Sequence, residues 1–188
     1  MMHRLRFLAE FIKDPRTVGS IVPSSRSLVE KMLKPIDFSK AECIVELGAG
    51  TGCITKALLR RMGPDSTLLS FETKKEFCAK LERIGDDRLH VINDSAENIA
   101  HYVRKNGYKK ADYIVSGLPL VVLPKSVQDN ILFAVHHSLA KDGAYIQFQY
   151  SLTSYKRFRK EFASVELDYT LMNIPPAAVY VCRTTKYK

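Results

Sequence analysis

No stretch of this 188-residue chain approaches the ~18 uninterrupted apolar residues that a bilayer-spanning helix requires. The longest candidate, YIVSGLPLVVLP from Tyr113 to Pro124, is interrupted by one glycine and two prolines. The opening MMHRLRFLAEFIKD puts charge into every turn, so it does not read as an export signal, which needs an unbroken apolar segment and a small-residue cleavage site. Cysteine is sparse. Cys43, Cys53, Cys78 and Cys182 are scattered, form no CxxC and no metal-ligand spacing, and read as reduced intracellular thiols. Glycine (nine) and proline (eight) are too few for a fibrous or disordered chain, and 46% hydrophobic residues with 26% charged ones suit a globular core. Internal repeats, low-complexity segments and linkers are missing as well. Residues 1–188 therefore read as a single domain.

What the chain does carry is positive charge, +9 overall, and it is unevenly placed. Residues 1–34 hold seven Lys/Arg against three Asp/Glu, and residues 153–188 the same, while 35–152 balance fifteen against fourteen. Two basic ends around a nearly neutral middle form either one positive face toward a polyanion or an ordinary solubilising surface. In the opening segment, Leu5, Leu8, Phe11 and Ile12 make an apolar helical stripe beside His3, Arg4, Arg6 and Lys13. Such a helix lies in a membrane interface or packs on its own domain; periodicity alone does not choose.

Strand and helix patterns alternate along the chain. A helix from Ser24 or Ser25 to Leu33 stops at Pro35, and the apolar run 43–47 then reads as a buried strand entering GAGTG. Further strands are predicted at 67–72, 89–93, 111–116, 144–150, 164–172 and 177–184. Helices are predicted near 54–62, 74–84, 95–106, 125–139 and 154–163, with a turn at Pro175–Pro176 closing a terminal antiparallel hairpin. Repeated strand–helix units predict a parallel-type sheet covered on both faces.

The main constellation is Val45-Glu46-Leu47-Gly48-Ala49-Gly50-Thr51-Gly52, a glycine-rich turn between a strand and a helix. Glycine there allows a tight turn and close approach of a ligand to the backbone, in the crevice at the carboxyl end of a central strand. Glu72 ends the next strand, twenty residues past Gly52, where a carboxylate can accept both hydroxyls of a ribose. That spacing does not separate NAD from S-adenosylmethionine. After the third strand, Asp94 is placed to receive an adenine amino group, unless Asp94 or Ser95 simply caps the next helix. The fourth strand ends in Ser116-Gly117-Leu118-Pro119-Leu120, which is either an acceptor site or a loop that shapes the crevice. Metal-ligand patterns are not found.

VELGAGTG, the strand ending in Glu72, the turn holding Asp94 and seven strands ending in a hairpin resemble class I S-adenosylmethionine-dependent methyltransferases. That resemblance implies an α/β, Rossmann-like three-layer sandwich with a seven-stranded mixed sheet in the order 3-2-1-4-5-7-6. The opening LRFLAEFIKDPRTVGSIVPSS and the SGLPL loop are similar to bacterial phospholipid N-methyltransferases, whose catalytic domain resembles rRNA adenine dimethyltransferases. The resemblance implies methylation of phosphatidylethanolamine, with S-adenosylmethionine as cofactor, at an anionic membrane surface on the inner face of the cell membrane. It assigns Glu46, Gly48, Ala49, Gly50 and Gly52 to the methionine-binding region, Glu72 to the ribose, and Asp94 with Ser95 to the adenine end. The opening segment, with Pro15, Gly19, Pro23 and Ser24, would cover the cofactor and meet the lipid.

The rRNA enzymes carry an Asn-Pro-Pro-aromatic motif after the fourth strand, whereas this chain has Ser116, Gly117, Leu118 and Pro119 there, without the amide or the stacking ring. The C-terminal helical domain usual in those enzymes is also missing. Both departures speak against a nucleobase acceptor. Ser116, or the backbone at Gly117 and Leu118, is expected to orient the substrate amine, and none of them is a strong base. Tyr150, at the end of the fifth strand, is the better head-group candidate, with Tyr145 equally suited to core packing. Lys13, Arg16, Lys156, Arg157 and Arg159 are phosphate contacts or plain surface charge. The rival readings are an RNA or small-molecule amine methyltransferase, and a membrane- or RNA-binding module on the same fold.

Overall fold

The computed structural model describes residues 26–170 and 176–184. The stripe from Leu5 to Ile12, Lys13, Arg16, the opening segment through Ser24 and Pro175 of the expected turn lie outside the described residues.

The sheet is built outward from β1 (Cys43–Leu47), a strand whose five residues are all buried. A strand covered on both faces has no polar side to show, which is why CIVEL reads as a continuous run rather than an alternation. β1 pairs in parallel with β2 (Thr67–Phe71) on one side and β4 (Ala111–Ser116) on the other. β3 (Leu89–Ile92) extends the sheet beyond β2, and β5 (Leu139–Gln149) extends it beyond β4. β7 (Ala177–Arg183) inserts antiparallel between β5 and the edge strand β6 (Ser164–Thr170). The resulting order, 3-2-1-4-5-7-6, is the one the sequence implies.

Helices cover both faces. On one side α1 (Arg26–Leu33) and α2 (Cys53–Leu59) pack over Ile44, Leu68, Val115, Ile146 and Val179. Leu28, Val29, Met32 and Leu33 form the inward stripe of α1. On the other, α4 (Ile99–Lys105), α5 (Lys125–Ser138) and α6 (Tyr155–Glu161) pack over Val45, Leu69, Ile114, Tyr145 and Tyr180. α3 (Lys75–Glu82) links β2 to β3 and buries Cys78 and Leu81. Because the inner strands run parallel, the ends of β1, β2, β4 and β5 that carry the candidate site loops lie along one edge of the sheet.

Three elements depart from the sequence reading. The fifth strand, expected at 144–150, begins at Leu139, directly after α5. Its pairing with β4 jumps from Ala111↔Leu139 to Tyr113↔Ala144, and the added residues form an irregularity that exposes Lys141 and Asp142. The helix expected from 95 opens as a 3-10 turn, Ala96–Asn98, before α4 begins. A further 3-10 turn, Leu120–Val122, lies inside the apolar stretch after β4, which carries no helix-start signal of its own.

Gly143 has a stringent role in this irregularity. A Cβ there would sit 2.3 Å from the Asp112 carbonyl oxygen and 3.2 Å from that of Ala140. Backbone cannot yield as a side chain can, so Gly143→Ala is expected to destabilise the fold by about 1–3 kcal/mol. Urea unfolding checks this; an unchanged midpoint would show that the β4–β5 junction tolerates displacement.

Candidate active site

The turn after β1 is shaped by three glycines in the left-handed region, with φ of 73° at Gly48, 54° at Gly50 and 83° at Gly52. Side-chain-bearing residues adopt such conformations reluctantly. The turn is tied to the next strand, because the N–H groups of Gly48 and Ala49 both donate to the Phe71 carbonyl, at 2.9 and 3.2 Å. Glu72, buried to 8% exposure, closes the tie. One of its carboxylate oxygens accepts the Gly50 N–H at 2.9 Å and the other the Lys74 N–H at 2.9 Å. Each oxygen keeps a second lone pair, so a ribose diol still finds two acceptors.

Glu46 is the unusual group. It is 1% exposed, and its Oε2 accepts hydroxyl bonds from Thr55 at 2.7 Å and Ser70 at 2.6 Å. Its Oε1 is equally buried and finds no hydrogen-bond partner among the described residues. Burial pushes its carboxyl up to about 7, against the two hydroxyl bonds, which favour the ionised form; the charge of nearby Glu72 raises it further. A buried oxygen without a donor marks a place for a cationic or N–H-bearing group. Gly50 adds a second sign: a Cβ there would meet nothing within 4 Å, so the turn leaves open space beside the backbone. A ligand carrying both a cationic nitrogen and a diol suits this set.

The loop after β4 locks onto this turn. Gly117 N–H donates to the Leu47 carbonyl at 2.8 Å, and a Cβ on Gly117 would lie 3.1 Å from the Gly48 carbonyl oxygen. Reciprocally, a Cβ on Gly48 would lie 2.7 Å from Leu118 Cδ2. Leu118 thus occupies the space that glycine leaves. Ser116 is fully buried, and its Oγ accepts the Leu118 N–H at 3.3 Å. The Leu118 carbonyl accepts two donors, Leu120 N–H at 2.9 Å and Gln147 Nε2 at 2.9 Å. Gln147, on β5 and fully buried, also takes the Tyr145 hydroxyl on its Oε1 at 2.6 Å. Tyr145 is core, its hydroxyl driven strongly upward in pKa by burial. Tyr150 lies one residue past β5, half-buried, with its ring 5.5 Å from that of Phe148.

The structure therefore brings Glu46, Gly48, Ala49, Gly50, Gly52 and Glu72 into one turn, and Ser116, Gly117 and Leu118 against it. Asp94 and Ser95 follow β3, and Ser95 caps the 3-10 turn by accepting the Glu97 N–H at 3.3 Å. Asp94 accepts the Ser95 N–H at 2.6 Å and the Asn98 amide at 3.0 Å, contacts that hold its carboxyl below the usual range. Gln147 was not expected from the sequence. The alternation that puts it on the same strand face as Tyr145 is the signal that finds it. Arg157 pairs with Asp129 and donates to Gln128, while Lys156 and Arg159 are exposed. Among the described residues, no group of three or more His, Cys, Asp or Glu is arranged to hold a metal ion.

No family model matches the chain. An ornithine lipid N-methyltransferase from Singulisphaera acidiphila is 33% identical over 183 residues, covering 96% of this chain and 95% of that protein. A ribosomal RNA small subunit methyltransferase H from Christiangramia forsetii is 28% identical over 88 residues, covering 47% of this chain and 28% of that one. Among solved structures, a precorrin-6y C5,15-methyltransferase from Geobacter metallireducens superposes with a TM-score of 0.69 at 11% identity, covering 88% of this chain and 93% of that one. These similarities lend no support to the expected kinship with rRNA adenine dimethyltransferases.

The Glu46 geometry predicts a pH dependence whose sign is fixed. Unfolded, this carboxyl ionises near its ordinary 4.5; folded and without ligand, near 7. Between these values the folded chain holds the extra proton, so this group's contribution to stability falls as pH rises through the window and levels off above it. An ammonium beside Oε1 favours the ionised form, so S-adenosylmethionine affinity is expected to drop about tenfold per pH unit from 7 toward 5.5. Titration calorimetry across that range, repeated on Glu46→Gln, checks it. The variant is expected to bind more weakly at pH 7.5 and to lose the slope; a slope retained in the variant would place the titrating group elsewhere.

Proposed function

Because the chain belongs to the family of class I S-adenosylmethionine-dependent methyltransferases that includes the ornithine lipid N-methyltransferase of Singulisphaera acidiphila, we propose that it methylates the amine of a membrane lipid. An ornithine lipid is the first acceptor to test, and phosphatidylethanolamine, with its methylated products, the second. The observation that carries this reading is the similarity to the lipid enzyme along nearly the whole of both chains. The acceptor loop adds weight. It offers aliphatic residues and backbone after β4, with neither the amide nor the aromatic ring that a flipped adenine would need.

S-adenosylmethionine is the cofactor, and when bound it supplies an electrophilic methyl group. Glu46, Gly48, Ala49, Gly50 and Gly52 hold its methionine end, Glu72 its ribose, and Asp94 its adenine end, with Ser95 capping the turn that follows. The acceptor amine enters beside Gly117 and Leu118, with Tyr150 shaping the head-group side. Of the two loop carbonyls, that of Leu118 is already engaged by Leu120 and Gln147, so the Gly117 carbonyl is the one we assign to the amine N–H. Ser116 serves from beneath, holding the Leu118 N–H. None of these groups is a base of useful strength. The amine loses its proton to water before it is bound, and catalysis rests on alignment and on exclusion of water by the closed loop. The reading places the protein at the inner face of the cell membrane. No helix among the described residues is long and apolar enough to cross that membrane.

The test is a reaction of purified protein with methyl-labelled S-adenosylmethionine and detergent-dispersed ornithine lipid or phosphatidylethanolamine, with RNA in parallel. Labelled mono-, di- or trimethylated lipid is expected, and its loss in Glu72→Ala ties the label to the cofactor site. Label in RNA alone would overturn the acceptor. Gln147→Leu deletes the anchor of the Leu118 carbonyl and also leaves the buried Tyr145 hydroxyl without its acceptor. Turnover is expected to fall about tenfold or more, with cofactor affinity falling much less. An equal loss of both would show that Gln147 acts through the fold and not through the acceptor loop.

A further inference from the structure

The crevice edge of the sheet carries two loops whose composition differs from the rest of the surface. Gly117 to Pro124, after β4, contains no charged or hydrogen-bonding side chain at all: it reads GLPLVVLP. Pro119, Val121, Val122 and Leu123 are only partly buried within it. After β5, Leu152 is 50% exposed, one of the few large hydrophobic side chains left so open among the described residues.

These loops are neighbours. Gln147 Nε2 holds the Leu118 carbonyl at 2.9 Å, and Arg157 Nη1 reaches Gln128 Oε1 at 2.7 Å, so the first turns of α5 and α6 stand side by side behind them. From Gly117 to Asp129 and from Tyr150 to Glu161 five Lys or Arg stand against two acids, Asp129 and Glu161. Asp129, just behind the rim, pairs with both Arg157 and Lys125. Lys125, Lys156, Arg159 and Lys160 are exposed.

Aliphatic loop residues beside exposed cations in the chain fit one kind of partner. Single-stranded RNA is gripped by stacking rings and base-edge hydrogen bonds, which the 117–124 loop does not offer. A bilayer interface takes aliphatic side chains into its acyl boundary and meets Lys and Arg at lipid phosphates. We propose that the loops after β4 and β5 form a membrane-docking rim. Val121, Val122 and Leu152 enter the interfacial layer of an anionic bilayer, while Lys156 and Lys160 face its phosphates. This rests on the lipid-amine reading and goes past it, because it sets the membrane plane at the mouth of the acceptor loop. A lipid head group can then reach Gly117 and Leu118 without leaving its leaflet.

The test uses the full chain with sedimented vesicles of phosphatidylcholine containing phosphatidylglycerol, against phosphatidylcholine alone. Binding to the anionic vesicles is expected. Leu152→Asp, and separately Lys156→Glu with Lys160→Glu, should each weaken that binding about tenfold. Unfolding temperature and S-adenosylmethionine affinity should stay those of the parent. Full-strength vesicle binding by either variant would overturn the rim, and so would a parent protein that ignored vesicles but bound RNA. Methylation of detergent-dispersed lipid separates the two claims. If it persists in the parent while vesicle docking is unaffected by the variants, the rim is wrong and the lipid-amine reading stands. If it fails while docking follows the rim, the acceptor is wrong.

Discussion

The whole crevice depends on the missing side chain at Gly48. Leu118 fills the space where a Cβ would stand, 2.7 Å from its Cδ2, and the Gly117 N–H reaches the Leu47 carbonyl at 2.8 Å through the same close approach. The glycine turn after β1 and the loop after β4 are therefore one packed unit rather than two loops that happen to face each other. A shift in either moves the other, because close-packed interiors transmit small displacements. This geometry suits methyl transfer, in which donor and acceptor atoms must be in line and water must be kept out.

Around that contact, buried polar groups divide into two kinds. Glu72, Ser116 and Gln147 have their main bonds satisfied within the protein, so they fix backbone: Glu72 the glycine turn, Ser116 and Gln147 the acceptor loop. Glu46 is satisfied on one oxygen only. A buried polar atom without a partner costs about 1–3 kcal/mol, a penalty that a cationic ligand removes. Glu46 thus differs from the other three in keeping a buried carboxylate oxygen without a donor among the described residues.

Much of this was legible in the sequence, for physical reasons that differ by element. β1 and β4 were readable to the residue because short apolar runs bounded by glycine turns leave little choice of start or end. Glu72 was readable because it ends a strand at a fixed distance from the turn. The start of β5 was not, since Lys141 and Asp142 in its irregularity look like a loop to any reading by composition. The role of Ser95 stayed open until its hydroxyl was seen to accept the Glu97 N–H. Alternation places Gln147 on the face of Tyr145, but its bond to the Leu118 carbonyl, 29 residues away, and the bonds from Thr55 and Ser70 that leave the other Glu46 oxygen unpaired need the folded chain.

The central claim is that this fold serves a lipid amine, and the lipids of the cell that makes the protein record it most directly. Mass spectrometry of total lipid extracts would compare cells with the gene intact, deleted, and restored with either the parent or Glu72→Ala. The account predicts that N-methylated aminolipids disappear on deletion, that the unmethylated precursor accumulates, and that only the parent restores the methylated species. An unchanged lipid profile on deletion, alongside loss of a methylated base in RNA, would contradict it.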